Sequence, residues 1–414
     1  MPRQIAADQI AELLPRGATV LVQGGAGESA LLADAVAATG RDDLHIVGVL
    51  LPGLNERSYG ANRQTTFFLT PRLKAAGARI TFLPLPYTEI LAYLGAARID
   101  AALFMASTPD AGGNVSFGAA VDFLAELWPR TPVRIAHLNP LMPRTHGPTG
   151  IPYEALTAVV EKEAPLITMT ERSGDAESEA IAERVAALVP DGATLEAGIG
   201  KLPSACMRAL RRKRDLRIHT GFIGEWALDL LSAGAIAKDQ PIVTGLAAGA
   251  GPEFYDAMRS SAFAFRPVSY THSAEIMRTL SGFVAINGAL EVDLLGQVYA
   301  ECGPDGFVSG PGGATDFARG AKLAGGLRVI ALPAAAKGAS RIVAPGGGRG
   351  PVSLSRFDVD VVVTQHGAAD LRGLSHEARA AALTAVAGPD HRDALEAAWA
   401  EFETRAVQAR RHSQ

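Results

Sequence analysis

Two cysteines, Cys206 and Cys302, are all that 414 residues hold, and neither stands at metal-ligand spacing from another ligand type. That excludes a disulfide framework and makes a zinc site improbable, and it points to a reducing cytoplasm as the expected setting. Aromatic residues make up only 6% of the chain. No run of about 18 apolar residues exists to span a membrane, and the charged start "MPRQIAADQIAELLPRGATV" does not read as a signal peptide. A positive excess is missing too, since the formal charge is −4, so there is no electrostatic case for nucleic acid. The basic run at 211–215 reads as the end of a helix, where cations suit the terminal carbonyls. No G-x-S-x-G elbow supports a hydrolase triad. His137, His146 and His366 form no i, i+4 ligand pair, so no metal is expected.

What the sequence does contain is a repeat. Residues 10–25, "IAELLPRGATVLVQGG", are answered by 181–200, "IAERVAALVPDGATLEAGIG". "DLHIVG" (43–48) is answered by "DLRIHTG" (215–221) at nearly the same distance. Each copy reads as an amphipathic helix, a Pro-x-Gly-Ala-Thr turn, a short β-rich run and then glycine. Two matches in the same order argue for two related halves rather than a solenoid. Apolar runs without alternation, such as "IDAALFMAS", "VRIAHLN", "QPIVTGL", "GFVAINGAL" and "VDVVVTQ", suit strands covered by helices on both faces. The fold class is therefore α/β, with two related domains, 1–175 and 176–414, and mainly parallel sheets. The last segment, from about residue 388, reads as a closing surface helix.

Several stretches carry chemistry. "VQGGAGES" (22–29) superficially resembles a dinucleotide loop but lacks the last glycine of the signature, so a tight strand-to-helix turn is the plainer reading. "SGPGGATDFARGA" (309–321) is more distinctive. Gly310, Gly312 and Gly313 allow close backbone approach to a ligand, and Asp316 with Phe317 could open the next helix. Amides in such a turn can hold an anion or a developing oxyanion. The stretch 344–367, a glycine loop entering a strand, reads equally as a lid or a connector. Glu291 and Asp293 look like paired carboxylates, or like acceptors for loop amides. Arg57, Arg63 and Arg144 are open to a substrate carboxylate or to solvent.

Taken in order, "TPDAGGNVSFG" (108–118), "NPLMPRTHGPTGI" (139–151), "TLEAGIGKLPSA" (194–205), "IHTGFIGEWALDLLSAG" (218–234), "NGALEVDLLGQV" (287–298), "GPGGATDFARGA" (310–321) and "SRFDVDVVVTQHGAADLRGLS" (355–375) resemble the acetyl-CoA hydrolase/transferase group of family I CoA-transferases, which includes 4-hydroxybutyrate CoA-transferases. The resemblance implies acyl-CoA as substrate, with a small carboxylate as possible acceptor, no tightly bound cofactor, and a homodimer or larger assembly. It also implies a glutamate nucleophile that forms an acyl anhydride and then a glutamyl-CoA thioester. The oxyanion role would fall on Gly313, with Gly310, Gly312, Asp316, Phe317 and Lys337 near the CoA.

The chain departs from that pattern at the centre. The family's I-H-[ST]-E-M reads Ile218-His219-Thr220-Gly221-Phe222 here, and a gap-free match through Leu228, Asp229 and Leu230 puts Gly221 at the nucleophile position. Glycine cannot form the anhydride. His272 and Tyr299 stand where asparagines are usual. Three readings stay open. His272 could activate water against a thioester, with the vacated space admitting that water or a bulkier acyl group. Glu225, or less directly Glu253, could act as a displaced carboxylate, although attack needs near-contact geometry. The chain could instead bind CoA thioesters without turnover.

Overall fold

The structure, a computed structural model, describes residues 1–55, 57–69, 71–75, 79–170 and 174–411. Two main sheets divide it. The first takes β1 (Arg3–Gln4), β2 (Thr19–Val22), β3 (His45–Gly48), β4 (Arg63–Thr66), β5 (Ile80–Phe82), β6 (Ala101–Ala106), β7 (Val133–Leu138) and β8 (Ala158–Glu161) in the order β1-β8-β7-β6-β2-β3-β4-β5. Every neighbouring pair in it is parallel. The second takes β9 (Thr194–Ala197), β10 (Arg217–Ile218), β11 (Phe283–Gly288), β12 (Leu327–Ala331), β13 (Val361–Thr364) and β14 (Gly367–Asp370) in the order β10-β9-β11-β12-β13-β14. Only its last pair is antiparallel.

The sequence repeat is a repeat of topology. β2 and β9 are the two "GAT" strands, and each pairs with the "DL" strand that follows it, β3 or β10. On their other side the series β6-β7-β8 corresponds to β11-β12-β13. The turns before β2 and β9 both need glycine, since Gly17 and Gly192 adopt φ of +67° and +75°, a left-handed conformation that side chains resist. The copies differ at their first helix. The second copy forms an α-helix, Ala176–Leu188, capped by Asp175 accepting from the Ser178 amide. The first forms only a 3-10 helix, Ala7–Glu12, in place of the expected amphipathic α-helix.

Burial explains the apolar strands. Strand β6 is buried along its whole length, as parallel strands between helical layers should be. One apolar cluster runs from Leu21 and Phe104 through Leu195, Ile286 and Val329, joining material from both sheets. "QPIVTGL" is a strand outside the main sheet: Ile242–Thr244 pairs with Phe263–Phe265, and Leu246–Ala247 with Phe222–Ile223. A continuous apolar run records burial on both faces, which a small packed ladder also supplies. The chain closes on the helix Arg392–Arg411. Among the described residues no helix is long and apolar enough to cross a membrane.

Candidate active site

The C-terminal ends of parallel strands leave carbonyls and turns facing outward, and ligand sites form there. A cavity of about 450 Å³ lies at that end of β9 and β11. Its floor is Glu196 and Ala197 from β9 with Asn287 and Gly288 from β11. Thr220, Gly221 and Phe222 form one wall. The loop Ser309–Gly313 covers it, and Phe68 and Tyr87 reach in from the first half of the chain.

Helix Ala314–Leu323 starts directly after Gly313. The first amides of a helix have no partner within it, and its positive dipole end favours negative charge. Gly310, Gly312 and Gly313 all line the cavity, next to the start of that helix. Asp316 has a different neighbour. Its carboxylate accepts from the Thr88 hydroxyl at 2.6 Å and the Thr88 amide at 3.2 Å, joining this helix to the start of Tyr87–Ala96. Phe317 lines the cavity and packs on His272.

His272 is 2% exposed. Its ring stacks on Tyr87 at 4.5 Å and 19°, with Phe317 on another side at 4.5 Å. Burial, with His219 nearby, pushes its pKa down to about 3, so it is neutral at pH 7. A base that weak is poorly matched to proton abstraction near neutrality. A Cβ on Gly221 would meet His272 Cε1 at 2.9 Å and Nε2 at 3.2 Å; one on Gly313 would meet Nε2 at 2.6 Å. The imidazole therefore fills the space directly over the Gly221 α-carbon. Gly221 itself still lines the cavity beside the ring.

Glu196 went unnoticed as a single residue in the sequence. It is 2% exposed, lines the cavity, and accepts a hydrogen bond from Asn287 Nδ2 at 3.0 Å. Burial pushes its carboxyl up to about 8, with the Asn287 bond opposing that shift. The signal for it was in the repeat: "GATVLV" aligns with "GATLEA", so Glu196 stands where the first copy has Leu21. A carboxylate in a strand buried on both faces is costly without a task or a counter-charge.

Other expected residues lie elsewhere. Glu225 is half-buried outside the cavity lining, and its carboxylate accepts from the Ala250 amide at 2.6 Å. Glu253 is exposed on the short helix Pro252–Ala257. Lys337 is exposed at the tip of a two-residue hairpin turn, with φ of +50°. Neither Glu253 nor Lys337 lines the cavity. Tyr299 does not line it either; its ring packs beneath Gly348 and its hydroxyl donates to Asp293 at 3.2 Å. Asp293 also accepts from the Gly346 amide, and Glu291 from the Arg349 amide, so the two carboxylates pin the 344–350 loop. Arg144 is engaged by Asp110, Ser107 and the carbonyls of Thr108 and Asn114. His219 and Thr220 frame the turn: His219 Nε2 meets the Thr271 carbonyl at 2.8 Å, and the Thr220 hydroxyl donates to Ala197 O at 3.3 Å. The 22–29 loop is closed by protein groups, with Gln23 donating to Ala120 O and Asn55 accepting from the Gly25 amide. No cluster of three or more metal-ligating side chains occurs among the described residues.

Comparison with known proteins places the chain in a family. Residues 251–399 match the acetyl-CoA hydrolase/transferase C-terminal domain. A 4-hydroxybutyrate coenzyme A transferase of Clostridium kluyveri is 36% identical over 308 residues, covering 72% of this chain and 71% of that protein. The crystal structure of RipA from Yersinia pestis superposes with a TM-score of 0.91 at 28% identity, covering 97% of this chain and 98% of that one. A 4-hydroxybutyrate CoA-transferase from Porphyromonas gingivalis gives a TM-score of 0.80 at 29% identity, covering 97% and 98%. The chain belongs to the acetyl-CoA hydrolase/transferase family and is an enzyme of the acyl-CoA hydrolase and CoA-transferase group.

Proposed function

We propose that this protein hydrolyses acyl-CoA thioesters, with Glu196 as general base and the Gly313 amide as an oxyanion donor. One observation carries this reading: a buried carboxyl with a raised pKa shares its cavity with the glycine loop, while position 221 offers no side chain. In its ionised form Glu196 takes a proton from water as the water oxygen bonds to the thioester carbon. The carbonyl oxygen becomes an oxyanion facing the Gly313 loop. The C–S bond then breaks, and the proton passes from Glu196 to the departing sulfur. Water and thioester become a carboxylic acid and a free thiol, and no covalent enzyme intermediate is needed. Because a carboxylate with a pKa of about 8 is a stronger base than an ordinary one, its ionised fraction is effective. The Glu225 reading has no such support, since that residue is outside the cavity.

The test is thiol release from acetyl-, butyryl-, succinyl- and 4-hydroxybutyryl-CoA, with and without acetate, followed by intact-protein mass. Acetate-independent release that is lost in Glu196→Gln, with no adduct, is the expected result. Acetate-dependent exchange with a CoA adduct on Glu196 would make that residue a nucleophile and overturn the hydrolytic reading. Tight CoA binding without turnover of any thioester would leave the protein a binder.

A further inference from the structure

Two contacts decide which nitrogen of His272 carries its proton. Nδ1 lies 2.9 Å from the Thr271 hydroxyl. That hydroxyl has one other acceptor in reach, the Pro267 carbonyl, at 3.4 Å. The Pro267 carbonyl already accepts the amides of Tyr270 and Thr271, each at 3.0 Å, which fills its two lone pairs. The hydroxyl proton therefore goes to the nearer and unfilled acceptor, Nδ1. A neutral imidazole that accepts at Nδ1 holds its proton on Nε2.

The surroundings keep the ring neutral. Tyr87 and Phe317 cover it, the titratable groups packed near it are Tyr87 and His219, and Glu196 lines the same cavity. No hydrogen bond joins it to a carboxylate among the described residues. His219 is itself buried, with its Nε2 on the Thr271 carbonyl. The Nε2 edge of His272 faces Gly221 and Gly313, close enough that a Cβ at Gly313 would come within 2.6 Å of it. This puts the Nε2–H beside the amides that open the helix Ala314–Leu323.

We propose that His272, as the neutral Nε2–H tautomer, donates a hydrogen bond to the thioester carbonyl oxygen alongside the Gly313 amide. The proposal rests on the reading that a thioester occupies this cavity, and it gives His272 the work of a donor instead of a base. No proton leaves the ring during the step. The bond strengthens as charge develops on the oxygen, in a site with little water to screen it. Donation from a neutral ring also persists across the working pH range, since the ring does not titrate there. The absence of a Cβ at both 221 and 313 is what lets the ring edge reach this position.

The tautomer is read from ¹⁵N spectra of the histidine-labelled full chain, with His272 signals assigned by their loss in His272→Gln. The expected result is a protonated Nε2 and an unprotonated Nδ1, unchanged from about pH 5 to 8. A non-hydrolysable thioether analogue that retains the carbonyl should shift the Nε2 proton downfield. In kinetics, His272→Phe keeps the ring stack without the donor. It should lower kcat about 10²–10³-fold with KM within a few-fold, and it should leave the pH limb of Glu196 in place. His272→Gln, which restores an N–H, should recover part of the loss. A proton on Nδ1, titration of His272 within that range, or full kcat in His272→Phe would each overturn the proposal. If the wild-type protein hydrolyses no thioester, the hydrolytic reading fails separately. The tautomer and the analogue-induced shift then still decide whether His272 donates to the carbonyl.

Discussion

Replacing Glu196 with glutamine should stabilise the protein by an amount that depends on pH. Burial raises this carboxyl from 4.5 to about 8 in the folded state. Below pH 4.5 both folded and unfolded chains hold the proton, and the residue costs nothing through ionisation. Between the two values the unfolded chain is ionised while the folded chain stays protonated, so stability falls as pH rises, by about 1.4 kcal/mol per pH unit. The loss reaches roughly 2 kcal/mol at pH 6 and roughly 5 kcal/mol above pH 8, as an upper limit. Glutamine is close in shape, can accept the Asn287 bond through its amide oxygen, and does not titrate. The Glu196→Gln variant should therefore match the wild type near pH 4 and unfold at progressively higher temperature as pH rises to about 8. Thermal unfolding of both proteins in parallel at several pH values reads this directly. A difference in midpoint that is constant from pH 5 to about 8.5 would show that Glu196 is not held protonated, and would remove the physical basis for its assignment as a strong base.

Two further perturbations test the framework around the site. A Gly221→Ala change should destabilise by about 1–3 kcal/mol through overpacking against the imidazole, although glycine-to-alanine changes at unstrained sites usually stabilise slightly. In a His272→Asn background the cost should shrink, giving a coupling energy above about 1 kcal/mol in a double-mutant cycle; additive effects in denaturant melts would show that the two positions do not share space. Asp316→Ala should cost about 1–2 kcal/mol by leaving the amide and hydroxyl of Thr88 without their acceptor. Asp316→Asn should recover most of that loss, and equal melting of Asp316→Ala and the wild type would refute the clamp.

Much of this architecture was legible in the chain because it rests on local and periodic signals. The paired "GAT" turns and "DL" strands anticipated β2-β3 and β9-β10, and continuous apolar runs anticipated sheets covered on both faces. The glycine loop at 309–313 could be singled out because glycine spacing is a local signal, and it lines the cavity. What escaped depends on residues distant in sequence. The pKa of His272 is set by burial against Tyr87 and Phe317, and no local pattern around "YTHSAEI" carries that information. Glu225 lies near Gly221 in sequence, but the turn that follows aims its carboxylate at the Ala250 amide. Lys337 and Tyr299 were singled out by the resemblance alone, and their side chains stand at a hairpin tip and in a loop anchor outside the cavity lining. Glu196 was visible in principle, as a charge replacing Leu21 in the repeat, yet its meaning depends on the cavity that β11 and the glycine loop build around it.

The pH dependence of kcat/KM for thiol release, measured for the wild type and Glu196→Gln, bears most directly on the central claim, because kcat/KM reports ionisations of the free enzyme. The account predicts a rate that climbs about tenfold per pH unit and levels off near the Glu196 pKa of about 8, with that limb absent from a much slower Glu196→Gln variant. A flat wild-type profile through this range, or a variant that keeps the wild-type rate and limb, would contradict it.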